Sequence, residues 1–190
     1  MYQFLDYFFI VFHSAIILFN SFGYIWKKTR KANLVLLLLT AGSWFILGIW
    51  HGIGYCVCTE WHWQVREHLG YGYSGDSYTH FLAKLITGID FPQKAVDIVT
   101  AADFFMSFGL SIALNIRDTT KSYLKKELID ILNNVKSRIK EDDNVLWTPY
   151  SSPQEIINRI DECIINFDKD EEKVLRDIEL EFLPTSTFQD

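Results

Sequence analysis

The sequence predicts an all-α membrane protein: three transmembrane helices plus a short outer or re-entrant helix, with four spans as the alternative, followed by a small soluble helical domain. Three observations predict it. Residues 7–26 and 34–55 form two uncharged runs, each long enough to cross a bilayer, which takes roughly 20 apolar residues. Basic residues cluster after the first and third apolar runs, the pattern that fixes orientation in a membrane. Charge also divides the chain, because residues 1–117 carry 8 Lys/Arg against 7 Asp/Glu while residues 118–190 carry 10 against 17. The mean hydropathy of +0.06 therefore averages an apolar part, which holds all five histidines, and an acidic part that reads as soluble.

The first run, YFFIVFHSAIILFNSFGYIW, is followed rather than preceded by basic residues, and aromatics occur throughout it. A cleaved signal peptide has the opposite order and a shorter apolar core, so the run is read as a retained span. Lys27, Lys28, Arg30 and Lys31 then make a short basic loop, which the positive-inside rule places in the cytoplasm. The second span, 34–55, returns to the outer side. The third, VDIVTAADFFMSFGLSIALNI at 96–116, contains Asp97 and Asp103 and precedes Arg117, Lys121, Lys125 and Lys126. Both basic clusters give the N-terminus outside and the C-terminus inside. Residues 56–95 form the outer connection, in which HFLAKLITGI at 80–89 is a helix of only about 15 Å, half the thickness of the hydrocarbon core.

Polar residues within the spans are the candidate functional groups. Counted at about 1.5 Å per residue from the outer face, His13 and Asp103 both come to lie near the midplane. A carboxylate there costs about 2.5–3.5 kcal/mol on insertion scales and needs an interior partner, so the expected pair is His13 with Asp103, or the two around a ligand. The bland alternative is a backbone-satisfied His13 and an Asp103 facing water. Asn20 and Asn115 are placed to bridge the first and third spans. His51 and His80 lie toward the outer surface, where they are the candidates for a ligand or for haem, which needs two axial histidines at matched depth. Cys56, Cys58 and His62 form C-x-C-x3-H, which lacks the usual zinc spacing, and no metal site is expected. No nucleophile elbow, phosphate loop or dinucleotide fingerprint occurs, so nothing points directly to catalysis. The acidic balance argues against nucleic acid.

The outer stretch TEWHWQVREHLGYGYSGDSYTHFL, residues 59–82, is rich in chemistry for a connector. Trp61 and Trp63 suit a membrane interface. Gly70, Gly72 and Gly75 mark a tight turn around Tyr73 and Ser74, Ser77 is placed to cap the helix carrying His80, and Arg66 and Glu67 are available for charge pairing. Cys56 with Thr59, then Val65-Arg66, then Gly72-Tyr73-Ser74-Gly75 with His80-Phe81-Leu82, resembles the small bacterial integral membrane proteins of the domain of unknown function family 2784. A histidine in the first span, here His13, and the basic loop after it are similar as well. The resemblance covers roughly residues 8–116, and the Gly-Tyr-Ser-Gly…His spacing is its most specific part. The chain departs from the pattern at Val57, where the family has proline, at the added thiol of Cys58, and at His62, where the family tends to have Glu. The resemblance implies a multi-pass protein of the bacterial inner membrane and assigns no activity.

In the acidic part, apolar residues at 124, 128, 131, 132, 135 and 139 give helix spacing that runs on from the third span. VLWT at 145–148 reads as a short strand or extended link before Pro149. Ser152, Pro153 and Glu155 mark a helix start, with Ile156, Ile157, Ile160, Ile164 and Ile165 on one face. Residues 170–183 form a last helix with acids at its N-terminus, and Cys163 reads as a buried thiol. So small a domain makes a marginal core, and an apolar patch around Trp147 would mark a partner surface. The expected function is an accessory or structural subunit, without catalysis of its own, that binds a protein partner or a second copy of itself through this domain while its spans sit in the lipid bilayer. The alternative is a haem-, quinone- or metal-binding redox protein that uses the intramembrane His and Asp.

Overall fold

The computed structural model describes residues 1–72, 77–146, 149–167 and 169–182, and all regular structure among them is helical. The elements are α1 (Tyr2–Phe22), α2 (Arg30–Ala41), a π-helical segment (Gly42–Leu47), α3 (Gly48–His51), α4 (Val57–His68), α5 (Tyr78–Thr87), α6 (Gln93–Arg138), α7 (Pro153–Asn166) and α8 (Glu171–Phe182). Three helices are long and apolar enough to cross a bilayer: Tyr2–Phe22, Arg30–His51 and Gln93–Arg138. The chain divides into two compact units, at Asp118 and Thr119. Each is described by itself.

In the first unit α1 changes partners along its length. Its N-terminal half packs on α4: Tyr2 stacks on His68 at 4.9 Å, Phe9 stacks on His62 at 5.5 Å, and the Tyr78 hydroxyl at the start of α5 donates to the Phe9 carbonyl at 3.2 Å. Its C-terminal half meets α2 and α6 through small and polar residues. Asn33, which has no exposed surface, donates from Nδ2 to the Phe19 and Asn20 carbonyls at 2.6 and 3.2 Å. Gly23 permits that approach, since a Cβ there would lie 2.9 Å from Asn33 Nδ2. Ser107 and Ser111 of α6 are buried, and the Ser107 hydroxyl faces the Ser21 carbonyl at 3.4 Å. Side chains of this size let helix backbones come close where there is no water to drive association. At the end of α2 nearest the basic loop, Arg30 bonds both oxygens of Asp118, at 3.0 and 2.9 Å.

Three expectations are revised. The second span begins at Arg30 and ends at His51 rather than covering 34–55, and its middle is π-helical. The outer connection holds two helices rather than one, because residues 57–68 form α4. There the buried face is His62, Trp63 and Val65, a mixture of polar and apolar residues that carries no clear amphipathic signal. Cys56 and Cys58 thus stand at a helix start. The helix expected at 80–89 is Tyr78–Thr87, and the Ser77 side chain caps it by accepting from His80 N at 3.4 Å. Gly88 ends it in the left-handed conformation, φ 71°, that a glycine adopts without strain.

The second unit has its own core. Leu128 of α6 and Ile178 of α8 pack against buried Cys163, Phe167 and Val174. Ser152 caps α7, accepting from Glu155 N, with Pro153 at the first helical turn. Lys136–Asp161 at 2.6 Å, Lys121–Glu171 at 2.9 Å and Arg159–Asp177 at 3.1 Å rim this core. Val145 and Leu146 form no strand, and Trp147 lies outside the described residues.

Asn33→Leu keeps the branched outline of the side chain but removes the donor shared by two carbonyls. It should lower the stability of the bundle by about 1–3 kcal/mol, read as a fall in the thermal midpoint in mild detergent.

Candidate functional site

The π-helical segment interrupts the second span at residues 42–47 and turns Ser43, Trp44 and Leu47 toward the bundle interior. Such segments widen a helix by one residue and recur at functional sites. Here they form one wall of a cavity of about 420 Å³ between α1, α2, α4, α5 and α6. Ile16, Ile17, Leu36, Leu47, Trp44 and Phe104 make it largely apolar. Its polar lining includes Ser43, Thr79 and Thr100 and, besides these, two groups of side chains. His13, Cys56 and Cys58 form one, and Asn20, Ser21, Thr40 and Asp103 form the other. His13 and Ser21 are eight residues apart on α1, or about 12 Å of helix.

Both expected partners, His13 and Asp103, line this cavity, but they do not bond each other. Asp103 accepts from the Ser21 hydroxyl, Oγ to Oδ2, at 2.6 Å. His13 lies flat on the Tyr78 ring, with centroids 3.8 Å apart, and its Nε2 faces Cys56 Sγ at 3.8 Å. The reason is axial offset. Counting depth from the ends of the apolar runs set the first and third spans level, whereas Asp103 comes level with Ser21 because α4 and α5, not α6, cover the outer half of α1. His13 is buried, and its Nδ1 has no protein hydrogen-bond partner. Asn20 donates to Thr40 Oγ1 at 3.0 Å, while its buried Oδ1 receives no protein donor. Asn115 donates to the Arg30 and Ser111 carbonyls. The two asparagines therefore tie α2 into the bundle instead of bridging the first and third spans directly.

A second polar centre lies where α4 crosses α1. Asp6 Oδ1 is shared by His62 Nε2 at 2.7 Å and Arg66 Nη1 at 3.1 Å. The Arg66 guanidinium also lies over the Tyr71 and Phe81 rings, at 4.7 and 4.6 Å from their centroids. His62 has no exposed surface, and burial pushes its pKa down against the opposing pull of the Asp6 carboxylate. Its Nδ1 has no acceptor, so a proton placed there would be unsatisfied. Burial, followed by the neighbouring Cys56, also raises the pKa of the Cys58 thiol. Asp6 was not among the residues the sequence singled out. Two signals mark it: it is the sole acidic residue before Glu60, and His62 and Arg66 stand four apart, on one helix face.

The remaining candidates are distributed as follows. His51 stacks on Tyr55 at 4.4 Å. His80 Nε2 is held by the Phe91 carbonyl at 2.8 Å and by Asp90 at 3.2 Å. The two imidazoles are engaged separately and are not brought together as an axial pair. Thr59 and Asp97 line a second, outer cavity of about 590 Å³, which shares Trp44, Cys56, Thr79 and Thr100 with the first. Gly72 adopts φ 72°, as expected of a turn glycine, and Tyr73, Ser74 and Gly75 lie outside the described residues. Among the described residues, no three His, Cys, Asp or Glu side chains are grouped to hold a metal ion.

These features define a small helical bundle, with three helices long enough to span a membrane and an open, polar-ended cavity between them. Residues 3–118, the unit that contains the cavity, match the family model described as Protein of Unknown function (DUF2784), and the chain belongs to that family. No curated protein and no solved structure matches the chain.

Asp6→Asn should destabilise the bundle by about 1–3 kcal/mol, since it leaves the partly buried Arg66 without its counter-charge. Arg66→Ala should cost clearly less in that background than in the wild type, as a double-mutant cycle would measure. Because His62 titrates below the ordinary imidazole value of about 6.5, the unfolded chain binds its proton first. Stability should therefore fall as pH drops below that value, and His62→Gln should flatten the slope in thermal scans across mildly acidic pH.

Proposed function

We propose that this is an integral membrane protein that binds a small amphipathic molecule between its helices, in the cavity bounded by His13 and Asp103. The observation that carries the reading is the cavity itself. About 420 Å³ of mostly apolar space, with a few convergent polar groups at its ends, is the character of a ligand site and falls within the usual range for one. A purely structural bundle buries such groups against one another, whereas here Asp103, held by a single hydroxyl, stands in the wall of an open space. The outer cavity that shares the Trp44 wall offers a way in. The ligand-binding reading is therefore preferred to a solely accessory role, with haem and quinones among the chemistries it covers.

The basic loop at Lys27–Lys31 and the cluster from Arg117 onward support an N-out, C-in orientation in a bacterial inner membrane. A partner-binding role for the second unit has one supporting feature: Leu124 and Ile131, seven residues apart and so on one face of α6, are both exposed. Truncation after Asp118 should then abolish partner recovery while leaving membrane insertion intact.

Solvent extraction of the full chain, purified in mild detergent, should release about one small lipophile per chain, and a visible spectrum of the same sample would reveal a chromophore. Ile17→Trp, which fills the cavity, should release none. Equal recovery from both proteins would overturn the reading.

A further inference from the structure

The two poles of the cavity differ in kind, and the inner one is made of acceptors. Asp103 carries a carboxylate whose hydrogen bond comes from one neutral hydroxyl, Ser21 Oγ. No Lys, Arg or His among the described residues lies against it. The other amide at this pole, Asn20, spends its Nδ2 on Thr40, and its buried Oδ1 is closed off from the cavity. A carboxylate without a counter-charge costs free energy inside a helical bundle, and a cationic donor relieves that cost. A quinone, a carboxylate or a phosphate head would instead set acceptors against acceptors.

We infer that the cavity takes a ligand with a protonated nitrogen head and an apolar body, the head seated on Asp103 and the body against Ile17, Trp44 and Phe104. This rests on the ligand-binding reading above and names the chemistry of its ligand. The nitrogen belongs to a free lipophilic amine or to the headgroup of an aminophospholipid. Both present an N–H-bearing cation to the same acceptor, and a space of about 420 Å³ suits the free amine better than a lipid with two acyl chains.

Isothermal titration of the full chain in mild detergent at neutral pH, with octylamine, octanol and octanoate, separates head from body. Octylamine should bind at least about tenfold more tightly than octanol, the usual gain from a charge-assisted hydrogen bond, and octanoate should bind weakest. In Asp103→Asn the preference for octylamine should vanish while octanol still binds, which also shows that the cavity has survived the change. Should that variant fail to bind octanol, Asp103→Ser is read instead, and in it too the preference for octylamine should vanish. Dihexanoyl phosphatidylethanolamine, titrated beside its phosphatidylglycerol counterpart, identifies the source: a preference for the former that exceeds the octylamine preference assigns the site to a headgroup, and a smaller one assigns it to a free amine. Equal binding of octylamine and octanol would overturn the inference and leave the ligand-binding reading standing. Binding of none of these probes would overturn both.

Discussion

Asp6 sits one turn into α1 and holds two side chains of α4 with a single carboxylate oxygen, His62 through Nε2 and Arg66 through Nη1. Once α4 covers it, Asp6 is buried, and a buried carboxylate must find its donors within the protein. The pairing fixes α4 across the outer half of α1, and Phe9, His62 and Trp63 stack in the contact that results. With α4 fixed, Cys56 at its start is held against His13, and Tyr78 of α5 closes over the same ring. The outer end of the cavity is therefore a consequence of the Asp6 contact.

The inner end has a different origin. Asn33, Gly23, Ser107 and Ser111 let α1, α2 and α6 approach closely, and Arg30 joins α2 to Asp118. Tight packing by small residues would leave no room for a ligand if it continued along the whole bundle. The π-helical turn at Gly42–Leu47 interrupts it, and the Ser43 hydroxyl anchors the displaced chain by donating to the Tyr55 carbonyl at 2.9 Å. The cavity lies between a contact made by charge and a contact made by small side chains. Its two poles accordingly differ, with imidazole and thiols at one end and oxygen acceptors at the other.

The second unit follows ordinary soluble rules. Its apolar core is small, three cross-helix ion pairs surround it, and its helices carry isoleucine or leucine on one face and acids on the other. Exposed pairs of this kind add little stability each, about 0–1 kcal/mol. The sequence pattern that made α7 recognisable, a capping serine followed by proline and glutamate, works here as it does in isolated helices. The family match ends at residue 118, so this unit lies beyond the part of the chain that the family model covers.

Much of the architecture was readable from local properties. A run of about 20 uncharged residues has one good solution in lipid, and a Ser-Pro-x-Glu start has one good solution in water, so the three long helices, the helix carrying His80 and the helices beyond Thr119 were all legible. That His13 and Asp103 face the inside of the bundle was legible too, since a polar group in an apolar run has little else to face. Which partner each one meets was not. His13 faces Cys56 and Asp103 holds Ser21 because α6 enters beside the inner half of α1, and that offset depends on α4, whose mixed polar face gives no periodic signal. Asp6 went unremarked because it stands at the edge of the first apolar run, where an acid looks solvated until α4 covers it. Length, periodicity and capping belong to single segments, so the sequence by itself determined them; the cavity and its two chemically opposed ends arise from how segments slide past one another, which only the tertiary structure decided.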